Sequence, residues 1–348
     1  MNSKNTVNTA KKLRVGIIGA GGIVRQRHLP GLLALPNVQI VAVCNARLET
    51  AHRVAKEYQI PEVVDDWAEM IDRSDLDIIW IGTPPVLHAP ITISALEAGK
   101  HVFCQARMAM NLSEGREMLA VAQACPQLVT MLCPPPHGMK GGKFFQKLLR
   151  DGYAGELWHF RLTADRDTFS DPLAPTHWRQ RTELNGINAL TVGIYAEVLE
   201  RWIGVPRRIH AQMKVSVPKR EGHVVHVPDV VQVFGQWPNG LAGSLEWSGV
   251  AQFPPDEILS IYGRAGTLVY NFTRDEILGA RRGEKGLRPL AIPPELETAW
   301  TVEKDFIDAV VQGGHPEPSF ETGVQYLEFT EAVNLSARGG HAIELPLP

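Results

Sequence analysis

A glycine cluster near the N-terminus limits what this chain can become. Gly19-Ala20-Gly21-Gly22-Ile23-Val24 follows a short apolar run, residues 13–18, and precedes a helix pattern through residues 29–35. A buried strand that stops at glycines and gives way to a helix is the opening of a βαβ unit. Glycines allow a tight turn there and let a pyrophosphate approach backbone N–H groups at the helix start, so Gly19, Gly21, Gly22 and Ile23 are candidate dinucleotide contacts. A lone G-x-G says little, but its place after an N-terminal strand makes it specific. The third fingerprint position holds Val24 rather than Gly or Ala. That predicts looser helix–strand packing or a small shift of the helix.

The residues that follow continue the series. Strand patterns at 38–44, 76–82, 101–104 and 128–133 alternate with helix patterns at 48–58, 67–72, 89–99 and about 111–125. Asn111 with Glu114 gives the last helix a capping-box-like start. Such alternation means a parallel sheet. Pro134, Pro135 and Pro136 then break the pattern, because consecutive prolines fit neither a central strand nor a helix interior. Beyond them come a helix at 142–150, a strand at 156–164, a long apolar helix at 185–203 and a strand at 230–237. The turn Pro238-Asn239-Gly240 then returns the chain as a hairpin. Two late helices, 299–311 and 320–338, precede a short final strand.

The expected architecture is α/β. A leader (1–12) precedes a Rossmann dinucleotide-binding domain (13–133) and an α+β domain (134–348) with a large, mostly antiparallel open sheet. A length of 348 residues suits two domains. A hydrophobic fraction of 44% with 21% charged residues excludes wholesale disorder. Thirty-five Lys+Arg against 38 Asp+Glu argues against a nucleic-acid binder. No apolar run reaches the roughly 18 residues of a membrane helix. The polar N-terminus lacks a signal-peptide core, and the four cysteines form no C-x-x-C pair, so a cytoplasmic location is expected. His210, His223 and His226 lack a helix-spaced carboxylate, and no metal is expected.

Ribose contacts in such a domain come from the end of the second strand. Here that position is Asn45, with Arg47 two residues on. Asn45 can bond a hydroxyl without repelling a 2′-phosphate, and Arg47 can pair with one. The cofactor is therefore NAD or NADP, with a lean to NADP; otherwise Arg47 is an exposed helix-start cation. Thr83-Pro84-Pro85 and His88 follow the strand at 76–82, at the carboxyl edge where ligands bind in open α/β sheets.

Several segments resemble the glucose-fructose oxidoreductase / inositol dehydrogenase / rhizopine-catabolism (Gfo/Idh/MocA) family: VGIIGAGGIVRQRHLPGL at the start, DIIWIGTPPVLHAPITISALEAGKHVFC, Trp178-Arg179, ILSIYGRAGTLVY, and the C-terminal segment from Asp305 to Gly340. The resemblance runs in one register from about Leu13 to the C-terminus. It implies a nicotinamide cofactor, a small sugar, cyclitol or related polyol as substrate, and a homo-oligomer formed through the C-terminal sheet. His88 resembles the family's histidine in its loop; otherwise it is a helix-start histidine with no ligand.

The resemblance fails at the family's ionisable groups. Its Glu-Lys-Pro motif reads Gln105-Ala106-Arg107 here, with Gln105 a candidate cofactor contact, and the helical aspartate and histidine positions hold Thr191 and Tyr195. Dehydrogenating an alcohol needs a base for the hydroxyl proton. Ala106 offers none, and Arg107 keeps its charge at neutral pH. Tyr195 is the remaining candidate acid/base, usable in either direction if a cation such as Arg107 lowers its pKa from about 10. Arg107 would orient an anionic substrate; otherwise it is a surface cation or a carboxylate's partner. Thr191, one turn before Tyr195, can bond a substrate hydroxyl. The loop 166–181, with Arg166, His177, Trp178 and Arg179, can hold a carboxylate or phosphate, or serve an oligomer contact. Three functions fit: an NAD(P)-dependent oxidoreductase, a catalytically silent dinucleotide-binding protein, or an enzyme that uses bound NAD(P) without net redox, as a lyase, isomerase or glycoside-cleaving enzyme.

Overall fold

A computed structural model describes residues 12–135 and 139–348. The expected leader, apart from Lys12, and Pro136 of the proline run lie outside the described residues. The chain divides into two compact units. The first holds the described residues up to Gln105, with Glu117–Cys133 and Thr301–Phe320; the second holds Ala106–Arg116, Pro134–Trp300 and Glu321–Pro348. One crossing falls between Cys133 and Pro134, at the proline run.

In the first unit, β1 (Leu13–Ile18), β2 (Val38–Cys44), β3 (Glu62–Val63), β4 (Ile78–Ile81), β5 (His101–Cys104) and β6 (Thr130–Leu132) make a parallel sheet ordered β3-β2-β1-β4-β5-β6. The helices among them are α1 (Leu29–Leu33), α2 (Leu48–Tyr58), α3 (Trp67–Asp72), α4 (His88–Glu97) and α5 (Leu112–Ala124). β4 reads IIWI and all four residues are buried, as a strand covered on both faces requires. The strand order reverses between β1 and β4. The carboxyl ends of these two strands therefore flank the crevice where open α/β sheets take ligands.

The second unit contains α6 (Gly142–Arg150), β7 (Leu157–Asp165), α7 (Thr182–Asn185), α8 (Val192–Ile203), β8 (Arg208–Lys214), β9 (Lys219–Arg220), β10 (His223–Val224), β11 (Val230–Gln236), β12 (Ala242–Ser248), β13 (Ile258–Gly263), β14 (Gly266–Asn271), β15 (Glu276–Arg281) and β16 (Arg288–Pro289). After α9 (Val302–Gln312) and α10 (Phe320–Gly339), β17 (Ile343–Glu344) closes a nine-stranded sheet ordered β16-β15-β14-β13-β7-β12-β11-β8-β17. Its pairs are antiparallel except β7 with β12. Alternation decides its faces. Val231 and Val233 of β11, Leu245 and Trp247 of β12 and Phe160 and Leu162 of β7 are buried, while Phe234 and Arg161 are exposed. α8 lies on the buried side, with Trp202 against Tyr270 at 5.2 Å.

The expected long helix at 185–203 is corrected to two pieces. α7 ends at Asn185 and α8 begins at Val192. Gly186 has φ +61°, and a Cβ there would sit 2.0 Å from Met110 O. The buried Asn188 amide donates to Ala109 O and Asn185 O, at 2.9 and 2.7 Å. Side-chain bonds of this kind give the backbone an alternative to helix. The break leaves Thr191 at the cap of α8, and it brings Asn185 to the candidate site.

α9 belongs to the first unit. Its Phe306 meets the stacked rings of Trp80 and Phe103 edge-on, at 5.7 and 5.8 Å. Burying such a ring contributes roughly 1.5–3 kcal/mol.

Candidate active site

Gly19 turns the chain at the end of β1 with φ +88°, and a Cβ there would lie 2.5 Å from Thr83 N. A Cβ at Gly82 would lie 2.4 Å from both Gly19 O and Val24 Cγ2. The close approach of the β1 and β4 ends thus requires glycine on both sides. Val24 is fully buried and fills the space Gly82 leaves. Its departure from the fingerprint coincides with a wider, π-helical turn at Val24–His28 before α1.

Gly21 and Gly22 are different: both are exposed, and a Cβ on either would meet nothing within 4 Å. Ala20 N donates to Asn45 Oδ1 at 2.7 Å and Gly21 N to Gly19 O at 2.8 Å. The next N–H groups open a helix and have no helical acceptor behind them. Thr83 Oγ1 is buried at this turn without a partner among the described residues. An open glycine edge, helix-start donors and an unused hydroxyl fit the pyrophosphate of a dinucleotide.

The neighbouring candidates have defined places. Asn45 braces the glycine loop through Oδ1, and its Nδ2 donates to Thr50 Oγ1 at 3.2 Å. Arg47 is exposed at the start of α2, and its guanidinium bonds to no described residue. Burial, then the charges of Asp66 and Asp65, pushes the Cys44 thiol at the end of β2 up to about 11. His88 is buried, and its Nε2 is 2.7 Å from Thr83 O, which fixes the Thr83-Pro84 loop. Gln105 needs a correction. Its side chain turns inward onto His28 Nε2, and His28 Nδ1 lies 2.5 Å from Glu303 Oε1. The Gln105 amide is committed to the interior and not to the dinucleotide.

The second unit gathers the other candidates. Tyr195 on α8 is 0% exposed, edge-on to Phe272 at 5.0 Å. Its hydroxyl donates to Glu257 Oε2, and Arg166 Nε donates to Glu257 Oε1. Burial, then the Glu257 carboxylate, holds the phenol well above its usual range; Arg166 opposes this only in part. The expectation that Arg107 lowers this phenol is therefore corrected: the arginine beside Tyr195 is Arg166, and the net effect is upward. Glu257 went unnoticed in the sequence. Its only signal is an acid after Pro254-Pro255 at the entrance to a strand.

Arg107 is no surface cation. It is 4% exposed, and its Nη2 donates to Asn185 Oδ1 at 3.2 Å. Burial, then the like charge of Arg179, brings its guanidinium down to about 10, so it still carries charge at neutral pH. Arg179 lies over the Trp178 ring at 4.2 Å. Desolvation, then Arg166, lowers it in turn. His177 caps the Trp178–Gln180 turn by accepting from Arg179 N at 3.1 Å. Thr191 is half-buried, and its carbonyl accepts Tyr195 N at 3.0 Å. Arg107, Arg179, Arg166, Glu257 and Tyr195 thus form one electrostatically connected cluster. Among the described residues, no group of three or more His, Cys, Asp or Glu side chains is placed to hold a metal, and no helix is long and apolar enough to cross a membrane.

Comparison with known proteins gives consistent matches along the chain. Residues 13–132 match the family model of an oxidoreductase family with an NAD-binding Rossmann fold, and residues 144–269 match the GFO/IDH/MocA C-terminal domain. Levoglucosan dehydrogenase of Pseudarthrobacter phenanthrenivorans is 27% identical, over 97% of this chain and 99% of its own length. D-apiose dehydrogenase of Paraburkholderia graminis is 24% identical, over 98% of this chain and 92% of its own length. The solved structure of levoglucosan dehydrogenase in complex with NADH and levoglucosan matches with a TM-score of 0.86 at 25% identity, over 97% of this chain and 100% of that one.

Proposed function

The chain belongs to the GFO/IDH/MocA oxidoreductase family, and on that premise we propose that it transfers a hydride between NAD(P) and a hydroxyl-bearing carbon of a small sugar-like substrate. The observation that carries this reading is the glycine turn between β1 and α1, with its open edge at Gly21 and Gly22. The names of the relatives, dehydrogenases acting on levoglucosan and D-apiose, support the substrate class.

The bound nicotinamide supplies the hydride acceptor or donor. The chain's own residues must bind it and move the alcohol proton. Gly21, Gly22 and the helix-start N–H groups take the pyrophosphate, with Asn45 holding the loop in shape. The proton path is Tyr195 with Glu257. A substrate hydroxyl gives its proton to Tyr195 Oη while Tyr195 gives its own proton to Glu257 Oε2; reduction runs the same path backwards. The two transfers are coupled, because a buried phenolate beside Glu257 is disfavoured. Arg166 is the exposed member of the trio, while Tyr195 and Glu257 are buried.

The test is nicotinamide reduction across a panel of sugars and polyols, and oxidation with their keto forms. Turnover on at least one class is expected. Tight NADH binding with no turnover in either direction would leave a dinucleotide-binding protein as the reading.

Both NAD(H) and NADP(H) are accepted in this proposal, because Asn45 carries no charge and Arg47 is available to a 2′-phosphate. Arg47→Ala is expected to weaken NADPH binding about tenfold, the worth of one exposed charge-assisted bond, and to leave NADH binding within about twofold. Calorimetric titration of both cofactors reads this. Equal effects on the two would remove Arg47 from the phosphate.

The open face of the nine-stranded sheet carries Phe234 among Arg161, Gln232 and Glu246, lining a shallow hollow. We assign the homo-oligomer contact to this face. Light scattering should give a dimer or larger, and Phe234→Glu should shift it toward monomer. A parent protein that is already monomeric would refute the assignment.

A further inference from the structure

The geometry points to a sugar bearing an anionic group, a carboxylate or a phosphate, as the substrate held in the second unit by Arg179 with Arg107 and Arg166. This deepens the oxidoreductase reading and rests on it. The arginines come from three separate places in the sequence: the segment after β5, the end of β7, and the turn after His177.

Arg179 is the centre of the argument. Its guanidinium makes no hydrogen bond or ion pair with a described residue. Its Cζ lies over the Trp178 ring at 4.2 Å, a cation–π contact that uses none of its N–H donors. Asn185 ties two of the segments together, accepting from Arg107 Nη2 at 3.2 Å and donating through Nδ2 to Arg179 O at 3.1 Å. Arg107 feels Arg179 as a like charge, and Arg179 feels Arg166 in the same way. Gathered like charges repel, and an anion at the exposed Arg179 relieves that repulsion. Arg166 has a negative partner already, Glu257. A fork of guanidinium donors matches a carboxylate or a phosphate and has nothing specific to offer a neutral hydroxyl group.

The position of this charge matters for the reaction. Glu257 accepts from Tyr195, the group assigned to the proton, and Arg166 links that pair to Arg179. An anionic sugar held by Arg179 therefore brings a hydroxyl to the neighbourhood of the proton path. The same arginines offset the repulsion between substrate and Glu257. Arg179 itself is exposed, so an anion can reach it from solvent.

Titration calorimetry with D-glucose, D-glucuronate and glucose phosphate, with and without NADH, separates the possibilities. One of the two anions is expected to bind at least about tenfold more tightly than glucose, the worth of a charge-assisted fork. Which anion does so identifies the group. Arg179→Gln is expected to remove that advantage, and Arg179→Lys, which keeps the charge but not the fork, to restore part of it. The advantage should also shrink as salt is raised. Glucose binding as tightly as both anions would overturn the proposal, as would an anion advantage that survives Arg179→Gln. These outcomes are read by binding alone. A chain that binds the anion but turns over nothing would refute the oxidoreductase reading and keep the anion site; turnover of neutral sugars only would do the reverse.

Discussion

Tyr195→Phe should lower kcat by about 10²–10⁴, the usual worth of a positioned proton-transfer group. Phe keeps the ring against Phe272 and removes only the hydroxyl that donates to Glu257. NADH binding should be unaffected, since the glycine turn lies in the other unit. Glu257→Gln should lower kcat by a similar factor, because the relay ends on that carboxylate. The effects of the two changes should not add, as expected for groups acting in one path. The pH profile supplies an independent check. Burial and Glu257 raise the phenol above its usual value of about 10, so no ionisation of Tyr195 should appear in the rate at or below that pH. For stability the sign is the same. A raised folded-state value contributes nothing lost below the unfolded value of about 10, and its contribution disappears only as pH climbs beyond it. Turnover within about threefold of the parent in Tyr195→Phe would remove Tyr195 from the reaction.

The two units were legible in the sequence to different degrees, for physical reasons. Buried parallel strands and their intervening helices leave local patterns, so β1, β2, α2 and α3 fall where periodicity puts them. The glycine turn is legible because its motif is contiguous at the end of β1, although the atom that crowds Gly19 is Thr83 N, on another strand's end, and Gly21 and Gly22 meet no atom. The break at Gly186 is not local, because the atom that forbids a side chain there is Met110 O, far away in sequence. Tyr195 and Arg107 could be singled out by position, but not their surroundings. Glu257 lies 62 residues from Tyr195, and no spacing rule connects a pre-strand acid to a helix tyrosine. That one missing carboxylate reverses the direction in which Tyr195 is shifted. Arg107 shows the same limit. Its partner Asn185 ends α7, next to a break that the apolar pattern of 185–203 does not show.

Another link of this kind, between His28 and Glu303, spans 275 residues and should carry a large contribution to stability. His28 is 0% exposed, and Nδ1 lies 2.5 Å from Glu303 Oε1. On the other side of the ring, the Gln105 amide and the Cys133 thiol face Nε2. The tautomer protonated on Nδ1 satisfies every contact: Nε2 accepts from the Gln105 amide and the Cys133 thiol, and Nδ1 donates to Glu303. Trp80 and Phe103 enclose the imidazole at 5.1 and 5.2 Å. Gly31 makes room for the acid: a Cβ there would lie 2.7 Å from the Glu303 carboxyl group. Glu303→Ala removes the acceptor, leaves a donor buried among aromatic rings and opens a void. Leaving a buried donor unsatisfied costs about 1–3 kcal/mol, and the void adds to that. Glu303→Gln keeps an acceptor oxygen for Nδ1–H, so its cost should be nearer 1 kcal/mol. Urea unfolding of both variants measures the difference. If Glu303→Gln cost as much as Glu303→Ala, the carboxylate charge itself would be the requirement, and His28 would be bound as imidazolium. If Glu303→Ala cost less than about 1 kcal/mol, α9 would be held to the first unit by Phe306 and its apolar neighbours alone. The predicted order, alanine well below glutamine, follows from treating the contact as a directed hydrogen bond inside the Rossmann core.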